Sequence, residues 1–79
     1  MRIKVLFFAS LKELIGISTL AIDLAEGGTT STLFAELCVQ YPSLRQGSMA
    51  IAVNKTYVTD VVVLKDGDEV ALLPPISGG

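Results

Sequence analysis

The chain has 79 residues, 51% of them hydrophobic and 18% charged, with a net charge of −2 at neutral pH. That length fits a single domain, and low charge with regular apolar spacing excludes a disordered chain. Six scattered basic residues give no nucleic-acid footprint, one cysteine excludes an internal disulfide, and without histidine no Cys/His zinc site can be assembled.

Arg2 to Phe8 reads as a first strand, with Ile3, Val5 and Phe7 on one face and Arg2, Lys4, Leu6 and Phe8 on the other. The apolar run from Val5 to Ala9 is too short to cross a membrane. Lys12 and Glu13 interrupt any signal-peptide core, so a cytoplasmic protein with no membrane partner is expected. Ser10-Leu-Lys-Glu13 has the spacing of a capping box and Gly16 supplies a stop, which predicts a short helical turn. Ser18 to Leu24 alternates again and predicts a second strand antiparallel to the first, with Leu20, Ile22 and Leu24 on one face.

Glu26-Gly-Gly28 breaks the pattern, and Thr29 or Thr30 can cap the next element. Leu33, Phe34, Leu37, Cys38 and Tyr41 recur at helical spacing until Pro42 ends the run, giving the one substantial helix. A loop is expected from Ser43 to Ser48, then a strand from Met49 to Val53, a turn at Asn54-Lys55 and a short strand from Thr56 to Val58. A brief apolar stretch from Val61 to Leu64 leads to the Asp66-Gly67 turn and a last strand, Glu69 to Leu73. Pro74-Pro75 then ends sheet pairing, since proline has no N–H to donate.

The fold class expected from this order is α+β: a mixed sheet of about five strands with one main helix on one face. A β-grasp (ubiquitin-like) roll fits, with the first and last strands adjacent and parallel at the centre. Residues 1–73 form the domain and 74–79 an extended tail.

Little of this chain can do chemistry. Without histidine, the usual acid-base group at neutral pH is missing, which argues against an independent enzyme. Cys38 sits mid-helix among apolar residues and reads as packing. Asp66, Asp68 and Glu69 read as a solvated turn, since a calcium loop needs more ligands. Gly27-Gly28 lacks the Gly-Lys-Ser/Thr context of a phosphate loop. No metal and no bound cofactor are expected.

The tail is different. Pro74, Pro75, Ile76, Ser77, Gly78 and Gly79 follow the last strand directly, and six extended residues reach on the order of 20 Å. The prolines stiffen its base, and the glycines let the backbone thread a narrow channel in another protein. With glycine at about 7% of residues, two in these places arise by chance in roughly one chain in 200. A carboxylate is a poor electrophile. A partner that adenylates it makes a mixed anhydride, which a sulfur nucleophile converts to a thiocarboxylate and a lysine amine to an isopeptide. On the sheet, Leu6, Phe8, Ala71 and Leu73 should share the helix-free face, extended by Tyr57, as an apolar docking patch leading to the tail.

The chain resembles the ubiquitin-like sulfur-carrier family, and within it the small subunits of molybdopterin synthase. The likeness runs through Ile3-Lys-Val-Leu-Phe-Phe-Ala9, Val53-Asn54, Asp66-Gly-Asp-Glu-Val-Ala71 and, most specifically, Pro74-Pro-Ile-Ser-Gly-Gly79. The terminal glycines alone would equally suit a carrier for thiamine or transfer-RNA thiolation, and a passive ubiquitin-like interaction domain remains the reading from another class. The resemblance implies that a ubiquitin-activating-like adenylyltransferase, using ATP, adenylates Gly79. A sulfurtransferase then makes the thiocarboxylate. The tail inserts into the large catalytic subunit in a heterotetramer with two of each subunit, and sulfur passes to the cyclic pyranopterin monophosphate to build a dithiolene. The chain would be the non-catalytic subunit and sulfur-donor co-substrate, with Leu6, Phe8, Tyr57, Ala71 and Leu73 as its partner interface.

Overall fold

Alternating side chains build the sheet, and one helix closes one of its faces. The computed structural model describes residues 1–45 and 49–74. The elements run β1 (Arg2–Phe7), α1 (Ala9–Ile15), β2 (Thr19–Asp23), α2 (Thr30–Gln40), a 3-10 turn (Pro42–Arg45), β3 (Ala50–Val53), β4 (Thr56–Val58) and β5 (Glu69–Leu73). The strands form one mixed sheet in the order β2-β1-β5-β3-β4. β1 and β5 lie parallel at the centre, Val5 opposite Val70 and Phe7 opposite Leu72, and all other neighbours are antiparallel. Parallel strands need a crossover. Here the crossover carries α2 over one face of the sheet, which is the β-grasp arrangement.

The core forms where those faces meet. Ile3, Val5 and Phe7 of β1 and Val70 and Leu72 of β5 cluster with Leu33, Leu37 and Cys38 of α2, all buried. Each fully buried aliphatic side chain here is worth about 1.5–3 kcal/mol of transfer free energy. Phe7 meets Tyr41 edge-on, ring centroids 6.3 Å apart. Thr29 caps α2, its hydroxyl accepting from the Thr32 N–H at 3.2 Å. The Val61–Leu64 stretch is pinned to that same helix start. Thr30 N–H donates to the Val62 carbonyl at 2.9 Å, and Leu64 N–H donates to the Gly28 carbonyl at 2.9 Å.

Two local expectations need correction. The capping box at Ser10 does not form: α1 starts two residues earlier, capped by Phe8 with no side-chain bond, and runs as a second helix of seven residues. The reason lies in the sheet. Phe8 N–H still donates to the Leu72 carbonyl at 3.2 Å, and Ala9 then turns the chain with φ +51°, so Ser10 is already inside the helix. Gly16 does end it, at φ +91°, where an L side chain is strained. The loop expected from Ser43 begins instead as the 3-10 turn, which drives Leu44 into the core at 1% exposure. Residues 46–48 of that segment lie outside the described residues.

Candidate functional site

A strand that buries every second side chain presents the others on the opposite face. On β1 these are Arg2, Lys4 and Leu6, with Phe8 just past its end. The registers carry a row across four strands: Leu6 opposite Ala71, Ala71 opposite Ala52, and Ala52 opposite Tyr57. The two alanines at the centre are short and form a floor. Leu6 and Tyr57 stand higher at either side, and Phe8 with Leu73 closes one end. The result is an open apolar depression of about 300 Å³ on the face away from α2.

All five residues expected in a patch line this depression. Phe8 is 44% exposed and Tyr57 58%, while Leu6, Ala71 and Leu73 are half-buried. Sequence reasoning missed Ala52, Lys55 and Glu69, which also line it. Ala52 was hidden because its strand register is set by pairing with a segment some twenty residues away. Pro74 follows Leu73 at the end closed by Phe8, so the chain leaves β5 beside the depression. Pro75, Ile76, Ser77, Gly78 and Gly79 lie outside the described residues.

A polar clamp holds the wall that carries Lys55 and Tyr57. Asn54 and Lys55 have φ +49° and +71°, as a two-residue type I′ hairpin turn requires. The Asn54 N–H donates to the Glu69 carbonyl at 2.7 Å, and its side-chain oxygen accepts from the Glu69 N–H at 3.0 Å. Its amide nitrogen donates to Asp68 at 3.0 Å, while the other Asp68 oxygen accepts from the Lys65 N–H at 2.8 Å. These bonds, Asn54's first and the Lys65 N–H second, hold the Asp68 carboxyl below its ordinary value of 3.8, with slight burial opposing and the Lys65 charge assisting. Asp66 accepts from the Arg2 N–H at 2.7 Å. The acidic turn therefore anchors β5 to its neighbours. Among the described residues no three His, Cys, Asp or Glu side chains are grouped to hold a metal, and no helix is long and apolar enough to cross a membrane.

The geometry thus offers an apolar surface beside an exit point, and, among the described residues, no nucleophile–base pair. The family model that matches, over residues 5–79, is described as the ThiS family. The chain is 41% identical to a molybdopterin synthase sulfur carrier subunit of Chlamydomonas reinhardtii, covering 100% of both chains. It is 40% identical to the one of Arabidopsis thaliana, covering 98% of this chain and 82% of that relative. Among solved structures, a putative molybdopterin converting factor subunit 1 from Pyrococcus furiosus superposes with TM-score 0.89 at 30% identity, covering 96% and 99% of the two chains. A protein-protein complex of subunits 1 and 2 of molybdopterin-converting factor from Helicobacter pylori 26695 contains a chain with TM-score 0.73 at 32% identity, covering 100% of both.

Proposed function

Because the chain belongs to the ThiS family, we propose that it is the sulfur carrier of a molybdopterin synthase, working through the carboxylate of Gly79. In this reading a partner enzyme activates Gly79. The carboxylate attacks the α-phosphate of ATP, pyrophosphate leaves, and a sulfide equivalent then attacks the carbonyl carbon and expels AMP. The product is a thiocarboxylate. Pro74, Pro75, Ile76, Ser77 and Gly78 form the arm that inserts it into the large catalytic subunit. There sulfur passes to the cyclic pyranopterin monophosphate, and two rounds complete the dithiolene.

The observation that carries the reading is full-length likeness to molybdopterin synthase sulfur carrier subunits, at 40–41% identity. The Helicobacter pylori complex supports a partner subunit, and the depression beside Pro74 supplies a surface suited to one. The chain's own chemistry agrees: it has no histidine, and its cysteine is buried in the core. An interface of this kind aims the arm and leaves catalysis to the partner.

Reconstitution tests the proposal. With the matching large subunit, activating enzyme, ATP and a sulfide source, the chain should convert the precursor to molybdopterin. Removal of Gly79 should abolish conversion and leave the fold intact. Retained conversion without Gly79 contradicts the carrier role. A chain that loads sulfur but supports only thiamine or transfer-RNA thiolation keeps that role and changes the acceptor.

A further inference from the structure

The apolar face does not end at Leu6 and Phe8. β1 lies between β5 and β2, and on the β2 side the same two residues line a second depression, with Phe7, Ala9, Lys12, Ser18 and Thr19, of about 450 Å³. Leu6 and Phe8 therefore form a ridge with a hollow on either flank. Each hollow has one lysine in its lining: Lys55 on the β4 side and Lys12 on the α1 side. Both are exposed.

The charges around this ridge are not balanced. Among the described residues the ion pairs are Arg2–Asp23 at 3.2 Å and Lys4–Glu69 at 3.9 Å, and neither Lys12 nor Lys55 takes part in one. Among those same residues Glu69 is the one carboxylate lining either hollow, and Lys4 offsets it. The molecule carries a net −2, yet each hollow beside this apolar ridge has an unpaired lysine, among the described residues, in its lining. Exposed lysines facing solvent on both flanks of an apolar ridge match a partner whose apolar furrow is edged with carboxylates. Such rim charges act mainly on the rate of encounter and on register, because each remains partly solvated.

We propose that Lys12 and Lys55 steer this face onto its partner, which receives the Leu6–Phe8 ridge in an apolar furrow flanked on both sides by Asp or Glu. The inference rests on the proposed function, which makes that partner the large subunit of molybdopterin synthase. Carboxylates on both edges of the furrow, each meeting a lysine, centre the ridge in it. The end closed by Phe8 and Leu73, where Pro74 leaves β5, distinguishes one way of seating from the other.

Stopped-flow association of the intact chain with the large subunit, across ionic strength, tests this. Lys12→Glu and Lys55→Glu should each slow association on the order of tenfold at low salt. The deficit should shrink as salt rises through screening of the rim. Arg45→Glu makes the same change in net charge at the exposed last residue of the 3-10 turn, which packs by α2, and should alter the rate less than about twofold. Circular dichroism melts establish that all three variants fold. An equal loss for Arg45→Glu, or none for Lys12→Glu and Lys55→Glu, overturns the steering proposal and leaves the carrier reading standing. Failure of the unaltered chain to bind the large subunit overturns both.

Discussion

Asn54 shows how much a single residue can join. It accepts the left-handed turn of the β3–β4 hairpin, and its side chain satisfies both the Glu69 N–H and one oxygen of Asp68. Asn54→Ala should lower stability to urea by about 1–2 kcal/mol, since two hydrogen bonds are lost and one involves a charged acceptor. Asn54→Gly keeps the turn and loses the clamp, so a similar loss in both variants assigns the effect to the side chain. Asp68 makes the same clamp sensitive to acid. Its folded-state pKa lies below the ordinary 3.8, so the unfolded chain binds the proton first as pH falls. The stabilisation is complete above the unfolded value and is lost as pH drops through the folded one. Urea midpoints between mildly acidic and strongly acidic pH should fall for the unaltered chain, and the part due to Asp68 should vanish in Asp68→Asn. This pairing joins residues fourteen apart and leaves no trace in local patterns, so the sequence showed only a turn at Asn54 and a solvated acidic loop.

At the scale of elements, period-two alternation made the strands and their buried faces readable. Ile3, Val5, Phe7, Val70 and Leu72 are all at or below 2% exposure, as their spacing implied. The long helix was readable from its stripe of Leu33, Leu37 and Cys38. Shorter elements were less so. α1 starts at a residue with no polar side chain because strand pairing at Phe8 decides where the chain turns, and that is a tertiary effect. The 3-10 turn is four residues long, too short for a period to emerge, although Leu44 is as buried as Val70 and Leu72 of β5. Gly16 is a local signal that did survive. A Cβ there meets nothing within 4 Å, so Gly16→Ala tests backbone strain alone. It should cost about 1 kcal/mol in a thermal melt, and an unchanged melt contradicts the left-handed cap.

For the whole molecule, the sheet does two jobs with its two faces. One face packs the core against α2, and the other exposes an apolar ridge and hollows beside the point where the chain leaves β5. The patch was legible because alternation assigns faces residue by residue. Its floor of Ala52 and Ala71 was not, because a depression depends on registers between distant strands. Phe8→Asp and Leu73→Asp each place a charge on the proposed docking face without entering the core. Each should weaken binding to the large subunit by several kcal/mol in a calorimetric titration, while the melting transition stays cooperative. If either substitution unfolds the domain, the side chain belongs to the core and the face is assigned wrongly. The proposed carrier arm is the part on which everything else converges. Intact-mass and fragment analysis of the chain isolated from its native host addresses it most directly. A fraction with one oxygen of the Gly79 carboxylate replaced by sulfur is the result predicted. Sulfur found only on Cys38, or a C-terminal fragment that is carboxylate alone while the host makes molybdopterin, contradicts it.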